Sequence, residues 1–291
     1  MTIIDGKKIA RHITEKLKLA VCNFKELNII PTLVIIQVGD RSDSNLYIKL
    51  KKKHSEEIGT KTVVQKYKET ISETELINEI KKLNKDKTIN AILIQLPLPK
   101  NLNEQIIIDN IDPFKDVDGL TSTALGNLFQ GNLNNYCIPC TPLGIINLLE
   151  TYKIDIEGKN AVVIGRSNIV GKPIATLLQT KNATVTICHS KTTNLKEHTL
   201  NADIIITAIG KAKFLKKEFI KQGCTIIDVG INTIKDKKSK SGHKVVGDVD
   251  FEDVKDKVGF ITPVPGGVGP MTIANLSKNT LNLTLKQICK N

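Results

Sequence analysis

The sequence predicts an α/β protein of two domains, on three observations. Short apolar runs rich in Ile and Val alternate with segments of helical periodicity along most of the chain. One such run, Ala161 to Gly165, passes through a polar loop with a second glycine, Gly171, into a segment with a proline in its first turn, Ile174 to Gln179, giving strand, turn and helix. The length of 291 residues gives room and core for two ordinary domains.

In chain order, Lys7 to Phe24 carries Ile9, Ile13, Leu17 and Val21 at helical spacing, so a helix packed on a core is expected. Thr32 to Val38 is a nearly continuous apolar run ended by Gly39 and Asp40, the pattern of a buried strand. Ser42 or Asp43 is placed to cap the next helix, which should end at Gly59. On that helix Tyr47 and Lys51 are four apart and share a face. From the residues alone, Lys51 belongs to a run with Lys49, Lys52 and Lys53 that equally describes a solvated basic face. Lys61 to Lys68 reads as a second strand, Glu73 to Leu83 as a helix and Ile89 to Gln95 as a third strand, an alternation that points to a mostly parallel sheet. Two prolines, Pro97 and Pro99, stop ladder pairing just past that strand, where open α/β sheets bind ligands. Asp116 to Gly119 has the D-x-D-G start of a calcium loop but lacks its later ligands. A helix should run from Cys140 to about Tyr152.

The second half continues with apolar runs at Ala161 to Gly165, Ala183 to Cys188, Asp203 to Ala208, Thr225 to Val229 and Gly247 to Val249, expected as buried strands, with a lysine-rich solvated hairpin or excursion between Lys235 and Lys244. Thr262 to Pro270 is too rich in Pro and Gly for a regular element, and its glycines allow close backbone approach to a ligand. Thr272 to Ile288 should be a helix returning to the first half.

The glycine turn at Gly165 opens a helix N-terminus, where free N–H groups and the dipole favour a phosphate. It does not meet G-x-G-x-x-G, because Ser167 stands where the second glycine would be, so a plain strand-to-helix turn and a nucleotide site both fit it. The following strand comes at βαβ spacing and ends in His189, Ser190, Lys191 and Thr192, with no acid to take a ribose 2′-hydroxyl. These donors suit a 2′-phosphate. Arg166 stands beside the turn in a chain whose other arginines are Arg11 and Arg41, and its planar fork suits phosphate, although an exposed surface arginine is the alternative.

A net charge of +12 suits anionic small molecules or nucleic acid, but the lysines are scattered and aromatic residues make up only 4%, without the basic, aromatic-interleaved stripe of a nucleic-acid binder. Six cysteines spread over the whole chain argue for a reducing compartment rather than a disulfide framework. Cys137 and Cys140 form a lone C-x-x-C, open to a redox role; no metal site is expected. No apolar run is long enough to span a membrane and the first residues lack a signal-peptide core, so a soluble, cytoplasmic protein is expected.

Taken together the motifs resemble those of the bifunctional methylenetetrahydrofolate dehydrogenase/cyclohydrolase family over essentially the full length. They are Tyr47-x3-Lys51, QLPLP at Gln95 to Pro99, DVDGL at Asp116 to Leu120, PCTPLG at Pro139 to Gly144, GRSNIVGKP at Gly165 to Pro173, DVGIN at Asp228 to Asn232 and TPVPGGVGPMT at Thr262 to Thr272. The resemblance implies a folate-binding catalytic domain of residues 1–139 plus 272–291 and a Rossmann-like NADP-binding domain of residues 140–271, with the active cleft between them, a homodimer formed through the nucleotide domain, and no nucleic-acid or membrane partner. It further implies oxidation of 5,10-methylenetetrahydrofolate by NADP and hydrolysis of the methenyl product to 10-formyltetrahydrofolate, without the synthetase domain of longer forms. Monofunctional relatives are the alternative.

By the same resemblance Lys51 is the general acid/base and Gln95 its partner. Tyr47, Asp118, Pro97, Pro265, Gly266 and Gly267 would meet the folate, Tyr47 by stacking and Asp118 by paired hydrogen bonds. Thr141, Gly165, Arg166, Ser167, Ile169, Ser190, Ile231 and Thr272 would meet the cofactor. A lysine drawn into an apolar cleft loses stability as a cation, which suits proton exchange near neutral pH.

Overall fold

The structure is a computed structural model that describes residues 1–236 and 242–289. Residues 237–241 of the expected lysine-rich excursion and residues 290–291 of the final segment lie outside the described residues. The chain divides into two compact units, one of residues 11–140 and 273–291, the other of residues 1–10 and 141–272. The first ten residues thus differ from the expected grouping with the N-terminal domain. Their strand β1 (Thr2–Ile3) pairs in parallel with a strand at Phe260–Ile261, and Lys7 N donates to Gly266 O at 3.0 Å. The helix α1 (Gly6–Glu26) follows, and its stripe of Leu17, Val21 and Phe24 is buried as expected of its spacing.

The unit of residues 11–140 and 273–291 is built on a three-stranded parallel sheet. Strand β2 (Thr32–Val38) leads into α2 (Ser42–Ile58), β3 (Lys61–Tyr67), α3 (Glu73–Lys85) and β4 (Ala91–Ile94), and β2 lies between β3 and β4. Every residue of β2 is buried, which accounts for its nearly continuous apolar run. Alternate residues serve opposite faces: Leu33 and Ile35 join Ala91, Leu93 and Ile48 in one cluster, while Val34, Ile36 and Val38 join Leu76, Ile80 and Ile107 in another. The expected side-chain cap of α2 is not made. Arg41 is the N-cap residue, and the Asp43 carboxylate is instead held by the Arg41 guanidinium at 2.7 Å. Gly59 ends α2 in the left-handed region at φ 85°, the conformation its position called for. Two short helices, α4 (Glu104–Asp109) and α5 (Ser122–Phe129), complete this stretch.

The other unit follows α6 (Cys140–Thr151) with β5 (Asn160–Ile164), α7 (Gly171–Thr180), β6 (Thr184–Cys188), α8 (Leu195–Leu200), β7 (Ile204–Thr207), β8 (Thr225–Asp228), β9 (Asn232–Lys235), β10 (His243–Val246), α9 (Phe251–Val254) and β11 (Phe260–Ile261). Its six-stranded sheet runs β1, β11, β8, β7, β5, β6 with every pair parallel, and β9 and β10 form a separate antiparallel pair. The chain order reverses between β5 and β7, the switch point at which open α/β sheets bind ligands beyond the carboxyl ends of their strands.

The last helix, α10 (Val268–Cys289), begins four residues before the expected Thr272, so Val268, Gly269 and Pro270 belong to a regular element after all. A proline at the third helical position forfeits no intrahelical bond, because first-turn N–H groups have no helical acceptor. Gly247 to Val249, expected as a strand, is an irregular turn after β10 in which Asp248 accepts backbone hydrogen bonds and Val249 makes a single bridge to Leu215. A polar residue with three backbone donors to satisfy outweighed the apolar neighbour.

Candidate active site

In the first-described unit the buried stripe of α2 runs through Ser44, Ile48, Ser55 and Ile58, and Lys51, three residues past Ile48, falls on it. The lysine run therefore splits: Lys49, Lys52 and Lys53 are exposed, while Lys51 is half-buried. Lys51 Nζ donates to Gln95 Oε1 at 2.9 Å. Gln95 is fixed in turn, its Nε2 donating to Leu96 O at 3.0 Å and its N–H to Ile36 O at 2.9 Å. Burial holds the Lys51 pKa below the ordinary lysine value, against the opposing pull of Asp118 and Cys140. One turn further, His54 stands between Thr14 Oγ1 and Ser277 Oγ, each at 2.8 Å, and so ties α2 to α1 and α10. Tyr47 is half-buried one turn before Lys51, and Pro97 is exposed past β4, its peptide bond with Leu96 cis.

Asp118 is half-buried at the head of a turn whose shape is set by its neighbour. Asp116 extends the sheet by a parallel bridge to Ile92 and is buried, its carboxylate accepting from Gly119 N at 2.9 Å and Thr121 N at 2.7 Å. Burial raises its pKa to about 6, outweighing these bonds. Gly119 has φ 64°, and a side chain there would run into Cys137 O. The D-x-D-G run is thus a carboxylate-pinned turn that presents Asp118. Cys140 Sγ donates to Val117 O and is buried beneath it, and burial pushes the Cys137 and Cys140 thiols well up, which leaves neither a reactive thiolate.

In the other unit, Gly165 leaves β5 at the switch point with φ 133°, its space closed by Ala208 O beyond β7. Ser167 Oγ accepts from Val170 N at 3.1 Å and Gly171 N at 3.3 Å, Ser167 O accepts from Lys172 N at 3.0 Å, and Pro173 has no N–H. The open helix N-terminus expected as a phosphate cradle is therefore satisfied by Ser167 itself, whose own O–H remains free to donate. The charged donors of this end of the sheet are side chains beyond the strands. Ile164 and Cys188 pair in register and Gly165 N donates to Cys188 O, so exposed Arg166 and exposed Ser190 leave neighbouring strand ends. A turn in which His189 N donates to Thr192 Oγ1 and Lys191 N to His189 Nδ1 holds Ser190 outward. Arginine, serine and lysine without an acid fit the 2′-phosphate of an adenine dinucleotide. Ile169 and Ile231 are exposed large apolar residues, 38% and 52% accessible.

The loop before α10 packs against the chain's start, where a side chain at Gly6 would run into Gly267 O. Pro265 follows a cis bond, Gly266 has φ 117°, and Gly267 N donates to Pro263 O at 2.8 Å. Thr141 and Thr272 meet hydroxyl to hydroxyl at 2.9 Å.

Residues 4–118 match the family model described as tetrahydrofolate dehydrogenase/cyclohydrolase, catalytic domain, and residues 139–288 the one described as its NAD(P)-binding domain. The chain belongs to the tetrahydrofolate dehydrogenase/cyclohydrolase family. It is 51% identical over 279 residues, 96% of this chain and 95% of the relative, to the bifunctional protein FolD of Thermodesulfovibrio yellowstonii. Among solved structures it resembles the FolD methylenetetrahydrofolate dehydrogenase/cyclohydrolase of Campylobacter jejuni, with TM-score 0.93 and 46% identity over 98% of this chain and 99% of that one. The Trypanosoma brucei enzyme, solved with NADP cofactor and an inhibitor, gives TM-score 0.93 and 34% identity over 99% and 98%. Family membership thus gives the chain a catalytic domain and an NAD(P)-binding domain.

Lys51, Gln95, Tyr47, Pro97 and Asp118 lie in one unit and Thr141, Gly165, Arg166, Ser167, Ile169, Ser190, Ile231, Pro265, Gly266, Gly267 and Thr272 in the other. The supports beneath them were missed from sequence. Asp116 is one; Asp228 is another, accepting from Gly230, Asp248 and Val249 N–H groups at 2.9 Å each, with its pKa raised by burial to about 6. Asp248 accepts from Ile209, Gly210 and Lys211 N–H groups and from Asn232 Nδ2. Both sit in short acid-glycine runs, but a run does not disclose which distant amides its carboxylate gathers.

Proposed function

We propose that this family member performs both reactions itself: NADP-dependent oxidation of 5,10-methylenetetrahydrofolate to the 5,10-methenyl cation, and hydrolysis of that cation to 10-formyltetrahydrofolate. The observation that carries this reading is the Lys51–Gln95 pair, a base-capable lysine depressed by burial and aimed by a fixed amide, in a chain that also has an NAD(P)-binding domain. The nicotinamide supplies hydride acceptance when bound. Arg166, Ser190 and the Ser167 hydroxyl take the phosphates, Gly165, Ile169, Thr141, Ile231 and Thr272 line the remaining cofactor, and the absence of an acid after β6 favours NADP over NAD.

Asp118 holds the pterin edge by accepting paired N–H bonds, Tyr47 stacks on the aromatic portion, and Pro97, Pro265, Gly266 and Gly267 shape the folate's surroundings. In the hydrolysis, water oxygen bonds to the methenyl carbon, the bond from that carbon to N5 breaks, one water proton ends on N5 and the other goes to solvent. Lys51 carries the proton in this exchange, and Gln95 keeps its Nζ in place.

The product is a formyl donor of the kind that purine biosynthesis consumes. A homodimer through the nucleotide unit is supported by β6, an edge strand with Ile187 40% exposed. A cytoplasmic location is supported by six free cysteines. Among the described residues no helix is long and apolar enough to cross a membrane. Spectrophotometric assay of both activities on one preparation tests the proposal: both should be present, and loss of either would leave a monofunctional relative.

A further inference from the structure

Asp248, in the turn after β10, is fully buried, and its carboxylate is met by donors from two other loops. Oδ2 accepts from Ile209 N at 2.8 Å and Gly210 N at 3.1 Å, and Oδ1 accepts from Lys211 N at 2.8 Å and Asn232 Nδ2 at 2.9 Å. Three consecutive backbone N–H groups turned toward one point make an anion-binding concavity. Here the protein fills it with a carboxylate of its own, so the loop after β7 is shaped before any cofactor arrives.

The arrangement is reciprocal. Asp228, at the end of β8, accepts from the N–H groups of Gly230, Asp248 and Val249. A side chain at Gly230 would run into the Asp248 carboxylate, and one at Gly247 would run into the Asp228 carboxylate. Each acid is thus pressed against a glycine of the other's run, and the stretches after β7, β8 and β10 are clasped together. Asp228 joins the end of β8 to the turn after β10, whereas Asp248 gathers the amides of the loop after β7.

The sheet order β8, β7, β5, β6 gives these loops a role. A dinucleotide lies across the carboxyl ends of such a sheet. With the 2′-phosphate at Arg166 and Ser190, on the β5 and β6 side, the nicotinamide end runs over the exits of β7 and β8. Ala208, whose carbonyl closes the space at Gly165, directly precedes the amides that Asp248 holds. Ile231, 52% exposed, stands between Gly230, whose N–H is on Asp228, and Asn232, whose side-chain amide is on Asp248.

We propose that Asp248 is a positioning residue for hydride transfer: it touches no substrate, and it holds residues 209–211 and the loop of Ile231 in the shape that seats the nicotinamide. This rests on the functional reading given above. Hydrolysis needs no nicotinamide, and Lys51, Gln95 and Asp118 belong to the other unit, so Asp248 has no part in that step.

The test compares Asp248→Ala, which removes all four acceptor contacts, with Asp248→Asn, which keeps one oxygen. The bond from the Asp248 N–H to Asp228 survives in both, and the isosteric Asp248→Asn carries the test should Asp248→Ala not fold. Dehydrogenase kcat should fall by about tenfold in Asp248→Asn and up to about 100-fold in Asp248→Ala, the scale of misplacing one reactant. The factor should be the same with NAD as with NADP, because these loops lie away from the 2′-phosphate. Cyclohydrolase kcat and the folate KM should stay near wild type on the same preparations. Amide hydrogen exchange gives a readout free of turnover. In either variant the amides of residues 209–211 should exchange faster than in wild type and gain less protection from added NADP, while those of Gly230 and Val249 stay protected. A parallel fall of both activities, a loss confined to NADP, an unchanged dehydrogenase kcat, or unchanged exchange of residues 209–211 would overturn the assignment. A wild type without dehydrogenase activity would instead sink the functional reading, and the exchange comparison would still decide whether Asp248 shapes the loops that meet NADP.

Discussion

Lys51 Nζ donates to Gln95 Oε1 at 2.9 Å, and Gln95 is held by its own amide bonding to Leu96 O, so the lysine has a neutral anchor in place of a counter-ion. That choice matters for proton transfer. A carboxylate in Gln95's position would favour the ammonium, whereas an amide fixes the nitrogen without holding its charge. Gln95→Glu should therefore move the rise of cyclohydrolase activity upward by about 1 pH unit or more. Gln95→Leu should lower the rate without that displacement. A pH-rate series on the two variants decides, and identical profiles would refute the anchoring role.

Asp118 should act on the folate in both reactions. Asp118→Asn keeps shape but replaces an acceptor-only group with one that also donates, so the pterin N–H groups are imperfectly met. Loss of a charge-assisted pair is worth about 1.5–3 kcal/mol, and kcat/KM of both activities should fall together by roughly tenfold or more. Survival of one activity at wild-type level would show that Asp118 has a different task.

Arg166 leaves β5 beside the exit of Ser190 from β6, and His189 to Thr192 after that strand include no acid. Arg166→Ala should raise KM for NADP roughly tenfold or more, the loss expected of one charged hydrogen-bonding partner, and leave KM for NAD nearly unchanged. Steady-state kinetics with each cofactor gives the comparison. Equal effects would mean that Arg166 does not meet the 2′-phosphate.

Buried strands and the α/β alternation were legible because β2, β4, β7 and β8 are buried along their whole length, so apolar residues run nearly unbroken through them, with polar residues such as Thr32, Thr207, Thr225 and Asp228 at their ends. The two-residue strands β1 and β11 were not, since two residues carry no period. Tyr47 and Lys51 could be placed on one helix face from spacing, but nothing in four neighbouring lysines distinguishes the one that turns inward. That depends on the stripe Ser44, Ile48, Ser55 and Ile58 meeting the sheet. Ser167 was legible as a departure from a glycine fingerprint. Its taking over the first-turn amides of α7 was not, because that depends on how the backbone turns after Gly165.

Asp228 should impose a pH signature on stability. Its folded pKa, about 6, lies above the ordinary carboxyl value of 3.8. Between these values the folded state binds more protons than the unfolded one, so Asp228's contribution is fully present below the lower value and is lost as pH rises through 6. Asp228→Asn lacks this dependence and turns a donor toward a backbone N–H, which costs about 1–3 kcal/mol. The variant's deficit in urea unfolding should be largest near pH 4 and shrink toward pH 7. A deficit independent of pH would show that the carboxyl is not raised.

Lys51 should separate the two chemistries. Hydride transfer needs the cofactor and folate aligned and is assisted by the folate's own nitrogen lone pair, whereas hydrolysis needs a proton moved. Lys51→Met keeps much of the packing and removes the base. General acid/base groups contribute about 10²- to 10⁴-fold, so cyclohydrolase activity should fall by that factor and dehydrogenase activity by less. In wild type the neutral amine grows as pH climbs through a pKa lowered from 10.5 by burial, so hydrolysis should quicken with pH in a range below that of an exposed lysine. The same lowering means that the unfolded chain holds this proton more tightly. Lys51's contribution to stability therefore increases with pH up to the ordinary lysine range and is lost as pH falls through the folded value. Lys51→Met removes that penalty, and its melting midpoint relative to wild type should be highest on the acid side. Full cyclohydrolase activity in Lys51→Met, with a melting difference that does not vary with pH, would return Lys51 to the solvated face of its lysine neighbours and dispose of the mechanism.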